Sequence, residues 1–160
     1  METQTGQKLE KLPLKGEVII EHFRAGELLE AKHIKNLVVS AGKAGVASRI
    51  NGAGAEAAFT YLAIGTGTAA ADAGDLTLGA EITTAGGQRG AATCTRVNTT
   101  VTNDTAQDLL LYNFTGSFAV TETGMLNANS AGTLLARQVF AAINVVSGDS
   151  LQITWKIQSS

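Results

Sequence analysis

The chain has 160 residues, 44% hydrophobic, 5% aromatic and 16% charged, which excludes disorder along its whole length and fits one globular domain with a polar arm. A chain of this size buries enough surface to need no disulfide or metal staple, and its one cysteine, Cys94, excludes both a disulfide framework and a zinc site of clustered thiolates. The net charge of −2 provides no whole-molecule positive field for nucleic acid.

Residues 1–15 are polar, with Lys8, Lys11 and Lys15 set against Glu2 and Glu10 and no sustained period, and read as an extended arm that orders only against something else. The segment has neither the apolar run nor the small-residue cleavage site of a secretory signal. No window of about 18 apolar residues follows anywhere, so no membrane partner is expected. The domain is expected to occupy residues 16–160. It opens with GEVIIEHF, a turn at Ala25-Gly26 and ELLEAKHIKNLVV, the pattern of a β-hairpin. Ser40 stands where a helix cap belongs, and AGKAGVASRI places Ala41, Ala44, Val46, Ala47 and Ile50 on one side of a short helix that stops at Asn51-Gly52.

A short apolar strand, AFTYLAIG, ends at Gly65, and the stretch from there to about Gly90 reads as a long loop on the outside of the molecule. The second half is strand after strand. ATCTRVNTTVT and AQDLLLYNFTGSF flank a turn at Asn103-Asp104; AVTETGMLNA and TLLARQVFAAINVV flank Asn129-Ser130-Ala131-Gly132; and LQITWKIQ follows Ser147-Gly148-Asp149. In the last strand Leu151, Ile153, Trp155 and Ile157 alternate with Gln152, Thr154, Lys156 and Gln158, the mark of one dry face. The fold class is therefore mainly β: an antiparallel β-sandwich or jelly-roll-like barrel with one short helix and an extended N-terminal arm.

The residue set offers little to catalysis. His22 and His33 sit in the early hairpin beside Glu21 and Glu30, without a nucleophile elbow or helical i, i+4 spacing, and read as ordinary strand histidines. Asp72, Asp75, Glu81, Asp104 and Asp108 do not follow calcium-loop spacing and read as turn and surface acids. Gly-Thr-Gly-Thr at 65–68 lacks the Lys-Ser/Thr of a phosphate loop and reads as a plain turn. Cys94 reads as a small core residue. No catalytic residue, cofactor or metal is assigned. Eight of the twelve basic residues fall within the first 50, against six acids, and of these Lys8, Lys11, Lys15, Arg24, Lys32 and Lys35 are the candidate partner contacts. Without interleaved aromatics they do not form a nucleic-acid surface.

Three segments in order, KNLVVSAGKAGVASRING, FTYLAIGTGTAAADAGDLTLGAEI and VTETGMLNANSAGTLLARQVFAAINVVSGDSLQITWKI, resemble a family of small structural proteins of tailed bacteriophages. The likeness covers roughly residues 35–158. It implies an all-β, non-enzymatic virion component, located in the particle and assembled in the host cytoplasm, with the major capsid protein or other virion proteins as partners and a homo-oligomeric state. A capsid decoration (cement) protein is the leading expectation. A tail or fibre-base component, or a host-receptor-binding module, is the alternative.

Overall fold

A computed structural model describes residues 13–159, so Lys8 and Lys11 lie outside the described residues. The expected hairpin forms from β1 (Leu14–Arg24) and β2 (Glu27–Lys35), with Ala25 and Gly26 both at positive φ in the turn. Leu14 and Lys15, assigned to the arm from sequence, belong to β1 and pair with Ser159 and Gln158. The chain then forms β3 (Leu37–Val38), α1 (Ser40–Asn51), β4 (Tyr61–Gly65), β5 (Gly90–Ala91), β6 (Thr93–Val97), β7 (Thr105–Asn113), β8 (Phe118–Leu126), β9 (Leu134–Val145) and β10 (Asp149–Ser159).

These strands make two five-stranded antiparallel sheets. Sheet A has the order β2-β1-β10-β7-β6 and sheet B the order β3-β9-β8-β4-β5. The chain changes sheet after β2, β5, β7 and β9, which ties the layers together along the whole sequence. Their inner faces share one core: Val18, Ile20, Tyr112, Leu151, Ile153 and Trp155 from sheet A meet Leu62, Ile64, Val120, Met125, Phe140 and Ile143 from sheet B. The Trp155 ring is wholly buried, and its Nε1 donates to Thr123 Oγ1 across the gap at 3.2 Å. A polar tip in a dry core keeps its partner, as burial of an indole requires. The fold class read from sequence is thus the one observed, in its sandwich form.

Two local expectations are corrected. Ser40 is not the cap: it is the first helical residue, preceded by Val39 in extended conformation with no side-chain cap. α1 buries its Ala/Val/Ile side only in part: Ala41 and Val46 pack against the cores, but Ile50 is 81% exposed and the fully buried helical residues are Gly42 and Gly45. A Cβ on Gly42 would collide with the backbone carbonyl and Cα of Leu135 in β9. Glycine here lets helix and strand backbones touch, an approach that any side chain forbids. The expected stop is present, with Gly52 left-handed at φ 76° and its N–H donating to the Ser48 carbonyl at 2.8 Å.

The loop between β4 and β5 lies on the outside, as expected, with most of its residues exposed, but it is also a cover: it crosses the outer face of sheet B and buries Leu78, while Ile82 joins the main core. Leu78, with Val39, Ala63, Leu126 and Leu134, forms a second small core there. Sheet B is therefore covered on both faces and sheet A on one.

Candidate interaction surface

The residues that could suggest catalysis are all tied into the scaffold. His22 is not the exposed or half-exposed strand histidine expected: it is 3% exposed, and its Nε2 lies 2.8 Å from Asp149 Oδ2. Arg24 also binds this carboxylate, from Nε at 2.8 Å and Nη2 at 2.9 Å, and the Val146 N–H adds a fourth contact at 3.0 Å. The bidentate Arg24 pairing holds the Asp149 carboxyl well below the usual carboxylate range, against burial and with help from His22. An Asp–His pair orients a base only if a nucleophile faces the other ring nitrogen. Here the group near Nδ1 is the Glu30 carboxylate at 3.9 Å, so the cluster fastens the start of β10 to the end of β1. His33 lies on the surface with Nε2 2.7 Å from Glu17, and Glu21 accepts from Gln152 at 2.8 Å. Among the described residues no group of three or more His, Cys, Asp or Glu is placed to hold a metal.

Of the long loop's acids, Asp72 is the exposed turn acid expected, accepting from Gly74 N–H, whereas Asp75 and Glu81 are tied into the scaffold. Glu122 of β8, fully buried, accepts Gly67 N–H at 3.0 Å and Ala80 N–H at 2.7 Å on Oε1, and Gly79 N–H at 2.9 Å on Oε2. Arg137 of β9 donates to Glu122 through Nε at 2.9 Å, to Asp75 through Nη1 at 2.7 Å and to the Ala69 carbonyl through Nη2 at 3.1 Å. Burial opposes the Glu122 charge, yet the Ala80 and Gly79 amides and Arg137 outweigh it and lower its pKa. Of the Gly-Thr-Gly turn only the Gly67 N–H reaches this carboxylate; the other two amides come from Gly79 and Ala80, across the loop. A Cβ on Gly67 would overlap that carboxylate. Glu81 takes a bidentate pairing from Arg89, whose Nη1 also reaches the carbonyls of Ala128 and Ala131. Sequence reasoning missed Glu122 and Arg137 because a lone acid and a lone base in separate strands carry no spacing signal; register alone brings them together.

The four described partner-contact candidates divide. Arg24 is committed to Asp149, and Lys32 donates to the Ala141 carbonyl at 3.1 Å. Lys15 and Lys35 meet at the lower corner of sheet A, joined by Lys156 of β10, which the sequence reading did not select. Together with Glu17, Asn36 and Gln158 they line a cleft of about 450 Å³. Glu17 is held between His33 and Lys156, the latter at 3.7 Å, so three lysines face one carboxylate. Both polar atoms of the Asn36 side chain are buried here without a partner among the described residues. Above this corner runs the outer face of sheet A, which no other described segment covers; Leu111 is 45% exposed on it, and Leu28 and Leu29 of β2 are about half exposed.

A second opening lies where the sandwich gapes beside β6. Val46, Phe59, Met125, Leu135 and Ile157 form the apolar walls of a groove of about 760 Å³, with Cys94, Arg96 and Asp108 on its sheet A side. Cys94 is not a core residue, contrary to expectation: it lies exposed on the edge strand, opposite Asp108 of β7. Burial, with the neighbouring Asp108 carboxylate adding to it, pushes the Cys94 thiol up to about 11. Asp108 is itself 3% exposed, and burial pushes it up to about 6, with Cys94 opposing. Its Oδ2 has no hydrogen-bond partner among the described residues.

Comparisons with family models, with curated proteins and with solved structures found no match to this chain.

Proposed function

We propose that this protein is a non-enzymatic structural component of a tailed-bacteriophage particle, and most concretely a decoration protein that cements the assembled head lattice. The observation that carries the reading is the lower corner of sheet A. Lys15, Lys35 and Lys156 converge there beside the Asn36 amide, which has no partner among the described residues, at the end of β1 that Lys8 and Lys11 precede in sequence. A half-open basic cleft with an amide ready to pair with main chain suits an acidic loop of a lattice protein. The uncovered face of sheet A gives the breadth a stable contact needs. The ordered three-segment resemblance to phage structural proteins supports the same role.

The test is binding to particles stripped of accessory proteins. Replacing Lys15, Lys35 and Lys156 together by Glu should leave the fold intact by circular dichroism and reduce occupancy at least about tenfold, since each rim charge contributes through steering and salt-dependent attraction. Occupancy unchanged by the triple replacement would remove the corner from the reading. Labelling at hundreds of copies per particle supports the head, whereas labelling confined to one vertex or the tail tip supports the alternative of a tail or receptor-binding part.

A further inference from the structure

We propose that β6 is a dimer seam: its free edge pairs antiparallel with β6 of a second copy of this chain, Thr95 opposite Thr95, and Arg96 of each copy pairs with the buried Asp108 of the other. This goes beyond the particle role and is decided in solution, with no particle present.

Sheet A ends at β6, which pairs only with β7, so the far side of its backbone over Thr93–Val97 has no ladder partner among the described residues, and Thr93, Cys94, Thr95 and Arg96 are all exposed. Edge strands are normally kept apart by proline, a bulge or a run of charge. β6 has no proline and no bulge, and its single charge is Arg96. The carboxylates that take an arginine take Arg24, Arg89 or Arg137, and Arg96 pairs with none among the described residues. Asp108 is its complement: 3% exposed, opposite Cys94, and with an oxygen that has no partner among the described residues. A buried carboxylate in that condition gains from a cation brought to it. Within one chain Arg96 stands opposite Ala106, one inward-facing row away from Asp108.

Antiparallel pairing of two identical strands is fixed by the residue that faces itself on the dyad. A five-residue strand pairs along its whole length only when that residue is Thr95. Thr93 then faces the partner's Val97, a β-branched pair on the outer face, and Cys94 faces the partner's Arg96. No like charges meet, whereas a dyad at Arg96 would set two guanidinium groups against each other. The partner's Arg96 now shares a row with Cys94 and Asp108, two strand spacings or about 10 Å from Asp108, a span that an extended arginine and a carboxylate close over the short cysteine. The dyad is perpendicular to sheet A, so both B sheets lie on one side and the two grooves, walled by Val46, Phe59 and Met125, meet beneath the seam. Leu14 also lines the groove, which makes residues 8–12 of the same chain the rival occupant. As a strand, Lys8-Leu9-Glu10-Lys11-Leu12 turns its two leucines to opposite faces and has no apolar side to lay there.

Placed cysteines read the register. Facing residues of an antiparallel pair have Cα atoms about 4.5–5.5 Å apart, inside the range of about 4.4–6.8 Å that a disulfide spans. The full chain with Thr95→Cys and Cys94→Ser should therefore oxidise to a covalent dimer. Two Thr93→Cys, Cys94→Ser chains hold their thiols four residues out of step, about 14 Å apart, and should couple to a Val97→Cys, Cys94→Ser chain at least about tenfold faster than to each other. Wild-type Cys94, about 8 Å from its mate, should cross-link no faster than that Thr93→Cys pair. In sedimentation over a concentration series, Arg96→Ala and Asp108→Asn should each raise the dimer dissociation constant at least about tenfold, and a mixture of the two, which keeps one pair, should associate more tightly than either alone. A chain that is monomeric at every concentration, its edge covered by residues 8–12 or left bare, overturns the proposal. So does a Thr95→Cys chain that cross-links no faster than Thr93→Cys, or a mixture no tighter than its components.

Discussion

Replacing Glu122 by Leu removes the carboxylate that gathers three amides of the long loop onto sheet B. Leu fills similar volume, so little of the effect comes from a cavity. Breaking a buried pair by deleting one member costs about 3–5 kcal/mol, because the other charge stays buried. Arg137 keeps Asp75 and the Ala69 carbonyl, which places its share at the lower end. The amides of Gly67, Gly79 and Ala80 lose their acceptor at the same time, at about 1–3 kcal/mol each if they remained sealed. Opening of the loop lets water reach them and limits the sum, so the expected loss is about 4–6 kcal/mol, a large part of the roughly 5–15 kcal/mol that holds a domain folded. Urea denaturation should show it as a lower midpoint at unchanged slope, and heating as a fall of about 8–24 °C. Arg137→Met should cost less, about 2–3 kcal/mol, since Glu122 retains three backbone donors and the Asp75 carboxylate, already part-exposed, can be hydrated. Hydrogen exchange should quicken at Gly67, Gly79 and Ala80 before it does in β10. A Glu122→Leu protein within about 1 kcal/mol of wild type, or an Arg137→Met protein that is the weaker of the two, would refute this account of the loop.

Other outcomes follow from the same geometry. Gly42→Ala, which ordinary helix propensity favours by about 1 kcal/mol, should instead destabilise by about 1–3 kcal/mol, because the methyl collides with the Leu135 backbone; calorimetry on Gly42→Ala beside an exposed Ser→Ala control decides the sign. Asp108 titrates at about 6 in the fold and near 4 unfolded, so the native state binds the proton more tightly and stability falls as pH rises from about 4 to about 6. Asp108→Asn should abolish that fall, gaining on the order of 1–2 kcal/mol on wild type at neutral pH relative to acid; parallel pH profiles of urea midpoints for the two proteins would count against it. Asp149 is the opposite case. Its lowered pKa contributes stability that is present above the unfolded value and lost as pH falls through the folded one, so Asp149→Asn should flatten the acid limb of the same profile while weakening the fold at neutral pH. Although exposed, Cys94 should react slowly with iodoacetamide at neutral pH, its rate rising toward about pH 11 and, in Asp108→Asn, at lower pH.

The strands and turns were legible because alternation and glycine placement are local signals. Leu151, Ile153, Trp155 and Ile157 alternate over one dry face, and Ala25-Gly26, Ala131-Gly132 and Gly148 mark corners where the backbone takes positive φ. The helix was legible in extent but not in facing, since an amphipathic reading weighs side chains, and α1 packs on the positions that have none. The long loop was legible as an outer segment but not as a fastened one. Gly, Ala, Thr and Asp look solvent-exposed in sequence, and only Glu122 and Arg137, in distant strands, turn that polar stretch into a cover. Of the candidate contacts, Lys15 and Lys35 were found from charge bias near the N-terminus. Lys156 was not, because it joins them only through the pairing of the first strand with the last.

The unequal rims of the sandwich set what kind of assembly this molecule can enter. Sheet B ends in β3 and β5, two residues each, too short to template anything, whereas sheet A ends in the nine-residue β2 and the five-residue β6. The longer rim carries two acids and then two lysines, Glu27, Glu30, Lys32 and Lys35, the kind of sentry that discourages accidental pairing, and the shorter one is a plain run of threonine, cysteine, arginine and valine. Joining unlike rims head to tail would regenerate an open end at every step and spin out a fibre. Pairing of two β6 rims across a twofold axis would consume both and stop at a closed dimer.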